Sequence, residues 1–191
     1  NFTPTSNVAG TTYTWTATFT GSLTGVSASG TGAITDTPVN TGNTSGTITY
    51  VIRPESSGCY GSTVNYVVTV RPRPNVAASN QGVCSGQSTS IAITNPNGVA
   101  GTTFTWVIQS NSNVNGAGAG SGNNISQVLT SADGVNNGTV VYRITPSANG
   151  CNGNPIDVTV TVTPVPVITN NAADFSKQIC SLETLNFLPT S

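Results

Sequence analysis

Val8-Ala9-Gly10-Thr11-Thr12-Tyr13-Thr14-Trp15 and Val99-Ala100-Gly101-Thr102-Thr103-Phe104-Thr105-Trp106 are one stretch written twice, 91 residues apart and differing only at Tyr13/Phe104. In the first copy Tyr13, Trp15, Ala17 and Phe19 alternate with Thr12, Thr14, Thr16 and Thr18. That is the period of two of a strand with one buried face. Phe104, Trp106 and Ile108 repeat it. The stretch therefore predicts an all-β chain built from a repeated unit.

The repetition extends outward. Gly46-Thr47-Ile48-Thr49-Tyr50 returns as Gly138-Thr139-Val140-Val141-Tyr142, Gly58-Cys59 as Gly150-Cys151, and Val68-Thr69-Val70 as Val160-Thr161-Val162, now 92 residues apart. Pro72 and Pro74 return as Pro164 and Pro166, and Cys84-Ser85 as Cys180-Ser181. Asn-Phe-Leu-Pro-Thr-Ser at 186–191 nearly repeats Asn-Phe-Thr-Pro-Thr-Ser at 1–6. A unit of this length is a small domain rather than a solenoid repeat. The division expected is a unit over 1–74 lacking its opening, a complete unit over 75–166, and a linker with the opening strand of a third over 167–191.

Further alternating runs predict more strands. Ile48, Tyr50 and Ile52 form one row, as do Val140, Tyr142 and Ile144. Val64, Tyr66, Val68 and Val70, with their counterparts Ile156, Val158, Val160 and Val162, are expected to point inward. Asn-Gly pairs at 97–98, 137–138, 149–150 and 152–153 mark turns. No segment holds a helical period. Gly21–Gly32 and Asn115–Gly122 are expected to be long mobile loops. About seven short strands per unit fit a two-sheet sandwich of immunoglobulin type. Arg71-Pro72-Arg73-Pro74 and Pro164-Val165-Pro166 read as semi-stiff linkers, and thus an extended array.

Composition excludes several functions. Charged residues make up 6% of the chain and the formal net charge is −1. Five basic residues cannot build the surface that neutralises phosphates, so nucleic acid is not an expected partner. No apolar run reaches membrane-spanning length. Thr supplies 32 of 191 residues, so hydroxyls do much of the work that charges do elsewhere.

Histidine is absent, and the six carboxylates (Asp36, Glu55, Asp133, Asp157, Asp174, Glu183) form no repeated pair. Glycosidic chemistry needs two facing carboxylates, and a Ser or Thr nucleophile needs a base. The chain is therefore read as non-enzymatic, with no cofactor and no metal. Asp133 with Asn136 and Asn137 is the one crude calcium candidate. Trp15 and Trp106 are read as core residues, with sugar stacking as the competing reading. Asn43, Asn124 and Asn137 open glycosylation sequons, which a chain rich in Asn and Thr contains by chance. Arg71 and Arg73 are read as solvated linker charges, with an acidic partner as the alternative.

Each unit carries one cysteine near its start and one before its last strand. Cys84 and Cys151 are expected to form an intradomain disulfide, which places the chain in an oxidising compartment. By the same logic Cys59 and Cys180 are half-cystines whose partners lie outside 1–191, so the chain reads as a window of a longer protein. A rival reading is head-to-tail assembly, in which the tail from Val167 supplies the next copy's opening strand and Cys180 pairs with Cys59.

Cys84-Ser85-Gly86-Gln87, Gly101-Thr102-Thr103-Phe104-Thr105-Trp106, Tyr142-Arg143-Ile144-Thr145-Pro146, Asn149-Gly150-Cys151 and the run Val158–Pro164 resemble the PKD-like repeats of Bacteroidetes. Those are immunoglobulin-like modules found in tandem in very large surface proteins and gliding-motility adhesins. The resemblance implies an extracellular, cell-surface location and a structural spacer role, with neighbouring repeats as partners. Two alternatives stand beside it. One is a module that binds surface glycans or another cell through loops 21–32 and 111–124. The other is an accessory domain of a secreted polysaccharide-degrading enzyme.

Overall fold

The computed structural model describes residues 1–169 together with 178, 180–182 and 184. The expected third opening strand and the repeat of the first six residues fall largely or wholly outside them. The described residues form two all-β units, each a sandwich with its own core. The first holds β1 (Thr12–Thr20), β2 (Leu23–Thr24), β3 (Ser29–Thr31), β4 (Val39–Asn40), β5 (Gly46–Ser56), β6 (Cys59–Tyr60) and β7 (Val64–Val70). The second holds β8 (Gln81–Cys84), β9 (Ile91–Ala92), β10 (Thr103–Ser112), β11 (Val114–Asn115), β12 (Gly120–Ser121), β13 (Asn124–Ile125), β14 (Thr130–Ser131), β15 (Gly138–Ala148), β16 (Cys151–Asn152) and β17 (Ile156–Thr163).

The repeated stretch lies at the centre of each main sheet. β1 pairs antiparallel with β5, setting Trp15 opposite Ile52 and Ala17 opposite Tyr50. β10 pairs in the same way with β15, setting Trp106 opposite Ile144. β7 closes on β5 and β17 on β15, both antiparallel. In the second unit β8 adds to the far side of β17 in parallel, from Val160↔Gln81 to Thr163↔Cys84. Two-stranded ribbons complete each unit: β2 with β4, β11 with β14, and β13 with β9.

The cores follow the alternation. Ile48, Tyr50 and Ile52 are buried around Trp15 in the first unit. Val140, Tyr142, Ile144, Val158, Val160 and Val162 are buried around Trp106 in the second. Two expectations about facing need correction. Val64, the first residue of β7, is 64% exposed. Phe19 is 48% exposed and sits opposite Ile48, the place that Asn111 holds opposite Val140. Both lie at the end of the strand where inward packing stops. β10 reaches this register through a bulge between Ile108 and Ser110. That bulge raises the spacing between equivalent residues from 91 to 92 locally, at Phe19 and Asn111.

The stretches expected to be long loops carry short strands: β2 and β3 lie within Gly21–Gly32, and the end of β11 and all of β12 within Asn115–Gly122. Gly30 of β3 lies opposite Trp15, and Gly120 of β12 opposite Trp106. A Cβ on Gly30 would meet the Trp15 ring at 2.3 Å, and one on Gly120 the Trp106 ring at 2.6 Å. Glycine is required there because the indole occupies the space of a side chain.

Candidate functional site at the repeat junction

The tryptophans are closed off as binding platforms. Each is 6% exposed beneath its glycine strand, and Trp106 Nε1 donates to the Gly118 carbonyl at 3.2 Å. Behind each ring a tyrosine latches the sheet to the connecting segment. Tyr50 donates its hydroxyl to Asp36 at 2.6 Å, and Tyr142 donates to Gln127 at 2.7 Å. Asp36 and Gln127 stand 91 residues apart, so the acceptor is the same position with a different side chain. Gln127 also bridges both backbone groups of Gly118.

Desolvation pushes the Asp36 carboxyl upward. Hydrogen bonds from Tyr50 and Ser27 outweigh it, so the group titrates below its ordinary value. Desolvation first, then the Asp36 contact, raises the Tyr50 hydroxyl well above the usual phenol range.

The calcium candidate is a closed loop. Asp133 Oδ1 accepts from Asn113 Nδ2, Ser131 Oγ and the amides of Val135 and Asn136 at 2.9–3.1 Å. Oδ2 accepts from Asn136 Nδ2 at 2.8 Å. These donors, with Asn136 the largest influence and Asn113 next, hold the carboxyl far below the carboxylate range. The donors that occupy its oxygens are the protein's own. Among the described residues no three Cys, Asp or Glu side chains gather at metal-binding distance. Asp157 is held bidentately by Arg143 across β15 and β17, at 2.8 and 2.9 Å.

The disulfide expectation fails on topology. Cys84 ends β8 beside Thr163, the last residue of β17. Cys151 opens β16 opposite Ala148, beyond the Ile144↔Ile156 pair at the start of β17. The two cysteines thus lie at opposite ends of the sheet, roughly 30 Å apart at ~3.3 Å per strand residue. A disulfide needs Cα atoms within ~7 Å. Neither Cys84 nor Cys151 is bridged.

The polar residues that the structure draws together meet where the two units join. Pro72 and Pro74 are buried, while Arg71 and Arg73 are exposed. Asn97 clamps the linker backbone: its Nδ2 donates to the Arg73 carbonyl and its Oδ1 accepts from the Asn75 amide, both at 2.9 Å. The Arg71 guanidinium donates to the Asn149 carbonyl at 2.6 Å. Asn149 and Gly150 have φ of 51° and 78°, so the β15–β16 hairpin turns through two left-handed residues and presents this carbonyl. Gly153 follows, packed so closely under the linker that a Cβ would meet the Pro74 carbonyl at 1.8 Å. Asn40, Thr41, Arg71, Arg73, Asn75 and Asn97 line the cleft beside the junction.

Sequence reasoning found the Asn149-Gly150 turn and singled out Arg71, but gave Arg71 to solvent or an acidic partner. It missed Asn97 as a clamp, because that residue has no counterpart in the first unit, where Ser6 stands 91 residues earlier. It also missed the Tyr50–Asp36 and Tyr142–Gln127 latches. The repeat of both partners at a fixed offset was the available signal.

Two-sheet β-sandwich units in tandem, each with a central Trp strand and a tyrosine latch, define a class of immunoglobulin-like modules. The chain belongs to the PKD-like domain family, which matches residues 1–74 and 81–166. Such domains are generic extracellular modules of structural and adhesive type, and they are typically non-catalytic. No curated protein matches the chain. Among the described residues no helix is long and apolar enough to cross a membrane.

Proposed function

We propose that the chain is a non-catalytic spacer segment of a large extracellular surface protein, holding a functional region away from the cell. The observation that carries this reading is the docked linker. A hinge would leave Arg71–Pro74 solvated. Here the prolines are buried, Asn97 holds the backbone on both sides, and Arg71 reaches the next unit's hairpin. Proline restricts φ and cannot donate a hydrogen bond, so a linker of alternating prolines resists both bending and pairing.

Neighbouring repeats are the partners of such a segment, and a large adhesin of the gliding-motility type is the setting proposed for it. Electron micrographs of a multi-repeat array test the reading. Extended rods with a constant rise per repeat are expected. Compact globules or freely jointed beads would overturn it.

A further inference from the structure

Cys84 and Cys151 occupy opposite ends of one unit, which changes which cysteines can meet. Cys84 sits at the distal end of the sheet. It stands in register with Thr163, and the Ser85 amide donates to the Thr163 carbonyl at 2.8 Å. Val83 packs on the core, while Cys84 and Thr163 are exposed. Alternation along β8 therefore puts the Cys84 thiol on the outer face.

Cys151 sits at the proximal end, two residues beyond the Asn149 carbonyl that the first unit's Arg71 grips. Arg71 is the first unit's counterpart of Thr163: it follows Val70 as Thr163 follows Val162, and precedes Pro72 as Thr163 precedes Pro164. It too is exposed, and its side chain runs to the next unit's hairpin.

An opening-strand cysteine in the β8–β17 register would therefore stand one strand spacing, ~4.8 Å, from Arg71. It would share the outer face from which Arg71 reaches the hairpin bearing Cys151. The buried prolines, the Asn97 clamp and the close fit of Gly153 under Pro74 fix that approach.

We propose that the opening-strand cysteine of each repeat forms a disulfide with the hairpin cysteine of the next, stapling the junction covalently. Cys151 takes the opening cysteine of the unit that ends at Pro74. Cys84 takes the hairpin cysteine of a unit following Pro166. In each bridge two thiols lose two protons and two electrons to the disulfide of a thiol oxidoreductase, which leaves as the dithiol. The inference rests on tandem order, which the chain itself displays, and not on the spacer reading.

The test extends the full chain at its amino end with a copy of residues 76–89, so that Asn1 takes the place of Ser90, Phe2 opposite Ile34 that of Ile91 opposite Ile125, and the first unit gains an opening-strand cysteine. After oxidation in a glutathione buffer, non-reducing peptide mapping is expected to join the introduced cysteine to Cys151. A bridge from it to Cys59, or both thiols still reacting with a thiol reagent, would overturn the proposal. A second measurement maps the natural multi-repeat protein, alkylated on harvest to trap free thiols. Bridges between adjacent repeats are expected there. Bridges within a unit, or hairpin cysteines recovered alkylated, would overturn the proposal independently of whether the extension folds.

Discussion

Glycine opposite tryptophan is the most exacting residue-level feature of each unit. Gly120→Ala places a methyl 2.6 Å from the Trp106 ring. Overpacking of this kind costs about 1–3 kcal/mol, and urea unfolding followed by Trp106 fluorescence will read it as a lowered midpoint. The tyrosine latch makes a second prediction. Asp36 titrates lower in the folded unit than in the unfolded chain, so its contribution is present above the unfolded carboxylate pKa. It is lost as pH falls through the lower folded value. Asp36→Asn should flatten this acid limb in the first unit, with Trp15 as reporter in a Trp106→Phe background. The second unit's latch uses Gln127 and has no such limb of its own, so an unchanged acid limb in Asp36→Asn would refute this assignment.

At the scale of elements, long strands were legible and short ones were not. β1, β5, β10, β15 and β17 each carry an alternating apolar row, since a strand with one wet face writes its period into the chain. β2, β4, β9, β11, β13 and β14 are two-residue pairings with no period to read. Gly30 and Gly120 looked like loop punctuation because the reason for glycine is an indole from another strand. The expected Cys84–Cys151 pairing failed for a related reason: separation along the chain says nothing about which end of a sheet a residue reaches. Edge position also has a measurable consequence. β17 is paired on both sides, with β15 and β8, and Thr159 gains the Asn80 side chain at 2.8 Å. β7 pairs only with β5 among the described residues. Hydrogen exchange should therefore protect Val160–Thr163 amides on the β8 side more than the outward amides of β7, and equal protection would contradict the pairing.

Across the whole molecule the two cores are separate and the junction is polar. Asn97→Ala removes both clamps on the linker while touching neither core. Small-angle scattering should then show a broader distribution of interunit distances, with the unfolding midpoint of each unit nearly unchanged. A scattering profile identical to that of the parent chain would argue that the prolines alone set the geometry. The parallel alignment of β8 and β17 has one more consequence. The polypeptide enters the second unit ahead of β8 and leaves it past the end of β17, so tension along the array slides these neighbours in opposite directions. Their evenly spaced hydrogen bonds are then loaded together in shear and cannot be unzipped one by one. In a single-molecule pulling experiment the second unit should yield in one abrupt, high-force step, whereas loading the ends of β15 and β17 across the sheet should peel it open at far lower force.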